Sequence, residues 1–181
     1  MVDEKMCFFN RVEVCGGQMK CHEWFGQEGV FAISHMGEPA WQVRQRLNAP
    51  ASAEEIENAQ DEIGMHLPED VKKFWKFSDG GELYRSEQDP LWGWRIISTK
   101  KYLESQHKWR RKFFNEWRST YVTIAELMSP VSAIVWDSAS ENILFLDTSA
   151  GDMNPVLIAA SVKDFFKNIS QSNGALYWQW D

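Results

Sequence analysis

The chain has 181 residues, 44% of them hydrophobic and 25% charged, which fits one globular domain able to bury a core and excludes the disordered class. Its formal net charge of −7 disfavours general nucleic-acid binding, because affinity for phosphate backbones comes from cationic side chains releasing counterions; a basic partner is expected instead. No run approaches the roughly 18 to 20 apolar residues of a membrane helix, and Met1-Val2-Asp3-Glu4-Lys5 lacks a basic-then-apolar signal pattern, so a cytoplasmic location is expected.

Residues 1 to about 38 read as a β-rich leading segment packed on the domain, with strands over Phe8–Val14, Met19–Phe25 and Gly29–Ser34 and a turn at Gly16-Gly17. After Gly37-Glu38-Pro39, the spacing of Trp41, Val43, Arg44 and Leu47 fits a short helix that Asn48-Ala49-Pro50 stops. Ser52-Ala-Glu-Glu55 is a capping box before Ile56, Ala59 and Ile63, and it predicts a helix over 53–63 with Gly64 at its C′ position. Leu67-Pro68-Glu69-Asp70 restarts a helix, with proline in its first turn and acids at the positive end of the dipole. Val71, Phe74, Trp75 and Ser78 share the buried face of that helix, and Asp79-Gly80-Gly81 ends it.

Leu91–Ile97 reads as a strand, and Thr99 as the cap of a helix reaching about Trp117-Arg118 with Gln106, Trp109, Phe113 and Trp117 along one stripe. Three further strands, Val131–Trp136, Asn142–Asp147 and Pro155–Ala160, suggest an antiparallel meander. Ser161-Val-Lys-Asp164 opens a last helix carrying Val162, Phe165, Phe166 and Ile169; from residue 171 an aromatic tail holds Tyr177, Trp178 and Trp180, which either docks back or offers an anchor to a partner.

The order capping box, glycine, Leu-Pro-acid, aromatic helix and Gly-Gly between Ser52 and Gly81 resembles the signature of the SUKH (Smi/Knr-type) superfamily. Leu91-Trp-Gly-Trp-Arg-Ile-Ile-Ser98, the paired strands with Asp147 and the Phe165-Phe166 helix extend the resemblance over about residues 40 to 170. It implies an α+β fold, helices packed around a mainly antiparallel sheet, with a domain over 39–170. For most bacterial members it implies immunity against polymorphic toxins, by covering the toxin's active site, and for fungal relatives a role as non-catalytic adaptors in cell-wall glucan synthesis. The partner so implied is a cognate toxin domain, basic and of the nuclease type, with neither nucleic acid nor membrane as a ligand. Acids on the 53–63 helix and the loop after Gly-Gly are the expected contacts: Glu54, Glu57, Asp61, Glu82, Glu87 and Asp89, with Trp92 beside them.

Catalytic and metal chemistry find little footing. Cys7, Cys15 and Cys21, with His22 and His35, show no C-x₂-C pair, and three cysteines close no disulfide framework, so reduced thiols buried on strands are preferred to a zinc site. Cys21 and His22, as strand neighbours, point to opposite faces and cannot act as a nucleophile and base. Neither G-x-S-x-G, a Walker-type loop nor H-E-x-x-H occurs, so no enzyme and no cofactor is expected. Lys108-Trp-Arg-Arg-Lys-Phe-Phe114 mixes cations and rings, but helical spacing separates a buried Trp109/Phe113 stripe from solvated cations. Trp92 and Trp94, on one strand, are expected to share a face, with core packing preferred to the alternative that the pair lines a groove.

Overall fold

The computed structural model describes residues 29–33, 41–64, 66–147 and 154–179; the two earlier N-terminal strands, the three cysteines, His22, His35 and Trp180 lie outside them. Among the described residues, eight strands form one sheet in chain order: β1 (Gly29–Ile33), β2 (Trp41–Leu47), β3 (Gly81–Ser86), β4 (Trp94–Ile96), β5 (Tyr121–Leu127), β6 (Ser132–Asp137), β7 (Ile143–Asp147) and β8 (Val156–Ala159). Every neighbouring pair is antiparallel. Four helices, α1 (Ala53–Ile63), α2 (Glu69–Phe77), α3 (Tyr102–Lys112) and α4 (Val162–Gln171), pack around it, so the α+β architecture with a mainly antiparallel sheet is as expected.

The helix expected over 41–47 is instead strand β2. Val43 and Gln45 face inward while Gln42, Arg44 and Arg46 face out, a period of two that the polar Gln45 conceals in the sequence. The reading of Glu82 as loop is also corrected: it lies on β3, and only Trp94–Ile96 of the expected 91–97 strand pairs. Ser98, rather than Thr99, supplies the cap, its hydroxyl accepting from the Lys101 amide at 3.3 Å ahead of a 3₁₀ turn that feeds α3. α3 ends at Lys112, five residues short of Trp117, yet Trp117 still packs on Phe113 and Tyr121.

Two apolar cores flank the sheet. On the inner face, α1, α2 and α4 cover Val122, Ile134, Trp136, Ile143 and Phe145 with Ile56, Phe74, Trp75 and Phe165. On the outer face, Trp109 of α3 and Phe113, which caps its C-terminus, cover Tyr121, Ala133, Val135 and Leu146. A bulge in β5 between Thr123 and Ala125 places both Ile124 and Ala125 in the inner core, so the next residue, Glu126, turns outward under α3. The tail docks back. The Trp94 indole donates to the Gly174 carbonyl at 2.8 Å, Tyr177 donates to the Ile158 carbonyl at 2.8 Å, and Trp178 packs on Phe145 and Trp94.

Candidate partner-binding surface

α1 carries Glu54, Glu55, Glu57, Asp61 and Glu62 in eleven residues and no lysine or arginine. Its local sequence explains its bounds. Ser52 accepts from the Glu55 amide at 3.2 Å while the Glu55 carboxylate accepts from the Ser52 amide at 2.9 Å, and Gly64 closes the helix at φ 70°. The Ser52 amide, seconded by the Lys100 ammonium 3.0 Å away, draws the Glu55 carboxyl down to about 2. Ile56 and Ala59 face the core, which turns Glu54, Glu57, Asp61 and Glu62 to solvent with no ion-pair partner among the described residues. An unneutralised helix face of this kind attracts cationic surfaces over distances up to about a Debye length, roughly 10 Å at moderate salt.

Behind α1, the 300 Å³ cleft between α1, α3 and β5 is lined by Glu62, Tyr102, Gln106, His107 and Arg110. Gln106 fixes its floor: it donates to the Tyr102 hydroxyl and the Tyr121 carbonyl and accepts from the Thr123 hydroxyl at 3.0 Å. The turn after α2 is equally determined. Asp79 accepts from the Thr99 amide at 2.7 Å and hydroxyl at 3.1 Å, and its own carbonyl accepts from the Asn48 side chain, which ties the loops before α1, after α2 and after β4 together. Together these bonds make the platform under α1 rigid.

The remaining expected contacts lie elsewhere. Glu82 and Glu87 sit with the outer sheet face, where Glu82 pairs with Arg85 at 2.9 Å and Glu87 with Arg44 at 2.8 Å, so their charges are already matched. Asp89 is half-buried and accepts from the Leu91 amide at 2.9 Å, shaping the loop between β3 and β4. Trp92 is half-buried and meets Trp41 edge-on at 5.8 Å; it does not share a strand with Trp94, which is fully buried in the inner core. The seven residues therefore divide between two faces, three on α1 and four about β3 and its loop.

Glu126 is the charged group that the sequence concealed. Almost completely buried, it accepts from Ser105 at 2.7 Å, the Trp109 indole at 2.7 Å and Lys108 at 2.9 Å, and Arg95 approaches at 3.9 Å. Burial pushes its carboxyl up, but the three donors together outweigh burial and hold it below the ordinary value. Lys108 and Lys112 are accordingly not merely solvated: both lie over the Trp109 ring, at 4.5 and 5.0 Å. Among the described residues, no cluster of three or more His, Cys, Asp or Glu can hold a metal ion, and no helix is long and apolar enough to cross a membrane.

An antiparallel meander carries helices on both faces, and two consecutive helices, the first of them acidic and opened by a capping box, connect β2 to β3. The family described as SMI1 / KNR4 (SUKH-1) matches residues 50–171, about two thirds of the chain, and the chain belongs to it. None of the curated proteins matches the chain.

Proposed function

We propose that the chain is an immunity protein: it binds a cognate toxin domain and covers its active site, without catalysis of its own. Membership of the SMI1 / KNR4 family supports a binding role, and the observation that carries the reading is α1, with five carboxylates, no cation and a rigid footing. A toxin that acts on nucleic acid presents cationic groups to its substrate, and a fixed acidic helix meets the same groups; such complementarity speeds encounter and fixes register. Cytoplasmic residence fits this role, because the toxin must be met where it acts.

The test is to search the coding neighbourhood of this chain for a toxin domain, purify it, form the complex, and compare wild type with Glu54→Lys/Glu57→Lys/Asp61→Lys. Association should slow by about tenfold or more at low salt, the difference shrinking as salt rises. An unchanged association rate removes α1 from the interface. A coding neighbourhood without any toxin, together with capture of cell-wall signalling proteins, would point to the adaptor role instead.

A further inference from the structure

The outer face of the sheet is covered by α3 over β5–β7, and among the described residues no helix covers it over β2–β4. In this chain of net charge −7, that stretch of the face is basic. The strand register lines up Arg46, Glu82, Arg95 and Glu126 in one row, and Val30, Arg44 and Arg85 in another. All of the cations on these three strands are arginines. Arg44 and Arg85 sit directly opposite one another, and each takes one carboxylate, Glu87 and Glu82. Arg46 has no ion-pair partner among the described residues, and Arg95, which donates to the Met128 sulfur at 3.6 Å, comes only to 3.9 Å from a Glu126 oxygen that Lys108 already holds at 2.9 Å.

We infer that this face is a second docking surface, for a carboxylate-rich segment of a partner protein. Arg46 and Arg95 flank Glu82, one strand away on either side, so two guanidiniums that hold no carboxylate at close range among the described residues stand about two strand spacings, roughly 10 Å, apart. A guanidinium matches a carboxylate through two parallel hydrogen bonds and sheds water more readily than an ammonium, which is why arginine rather than lysine dominates interfaces. Val30, 53% exposed in the Arg44–Arg85 row, supplies an apolar contact beside them. The surface lies on the opposite side of the sheet from α1, takes a partner of opposite charge, and stands or falls independently of the toxin reading.

The experiment titrates the full chain into fluorescein-labelled deca-glutamate at low salt and follows anisotropy, comparing wild type, Arg46→Glu/Arg95→Glu and, as a control on the far side, Lys163→Glu. Saturable binding is expected, weakened about tenfold or more by the double variant, unchanged by Lys163→Glu, and retained by the α1 triple variant. Absence of binding to the peptide, equal loss in both variants, or tighter binding of a single-stranded oligonucleotide of matched charge would overturn the proposal, the last assigning the face to nucleic acid. If charge reversal unfolds the protein, the Arg46 and Arg95 Nε–H resonances of the wild type read the same contact; their failure to shift on adding peptide likewise overturns it.

Discussion

Glu126 shows how much one side chain organises. Its carboxylate satisfies the indole of Trp109, the hydroxyl of Ser105 and the ammonium of Lys108, so truncation strands three donors at once. Glu126→Ala should cost about 3 kcal/mol or more, measured by urea denaturation, because a partly buried cation and a buried indole lose their acceptor. Since its carboxyl is held below the ordinary value of 4.5, the folded state favours the ionised form; the resulting stability is present above about that pH and is lost as pH falls through the lower, folded value. The stability gap between wild type and Glu126→Gln should therefore narrow on going from neutral to strongly acidic solution. A gap that stays constant would show that charge is irrelevant to the site. Ser52 is a smaller case of the same logic: Ser52→Ala removes one half of the capping box and should lower stability by about 1 kcal/mol in the same assay.

Elements were legible where local rules act alone. The capping box, Gly64, the acidic start of α2 and the apolar face of α4 read directly from the sequence, since each depends on neighbours within one or two turns. β2, β3 and β5 did not, and each for a physical reason. In β2 a buried Gln45 breaks the alternation; in β3 Tyr84 takes φ 50° at a bulge, so Leu83 and Tyr84 both face the inner core; in β5 the bulge and the buried Glu126 break the period of two in an otherwise apolar run. The site follows the same division. Exposure of the α1 acids is a helical-spacing result, whereas the pairing of Glu82 and Glu87 with arginines depends on cross-strand contacts that no local pattern encodes. At Gly174 the φ of 82° and the approach of Tyr84 coincide: an added Cβ would lie 2.4 Å from the Tyr84 Cβ. Gly174→Ala should cost roughly 2 kcal/mol or more and loosen the Trp94 and Trp178 contacts, read as a change in tryptophan emission together with a lower melting temperature. Unaltered emission and melting would mean that the tail is held by its rings alone.

Across the molecule, charge is sorted locally: α1 over the inner face carries carboxylates alone, while the cations of the outer-face strands β2–β4 are all arginines, set beside Glu82 and Glu87. Because Glu54, Glu57 and Asp61 make no ion pairs among the described residues, the triple lysine variant should keep its stability to within about 0.5 kcal/mol by urea denaturation while its association slows, which separates binding from folding. A large loss of stability would show that α1 depends on these acids for its own integrity. The β5 bulge has a further consequence for this sorting. The extra residue at Ile124 acts as a reading-frame shift in space: everything after it up to the turn has exchanged sides relative to a regular strand. Deleting Ile124 would restore strict alternation with Ala125 still inward and Glu126 still under α3, at the loss of one inner-core side chain, whereas one residue inserted between Ala125 and Glu126 would aim the carboxylate at the phenylalanines beneath α2 and α4 and leave the Trp109 indole without its acceptor.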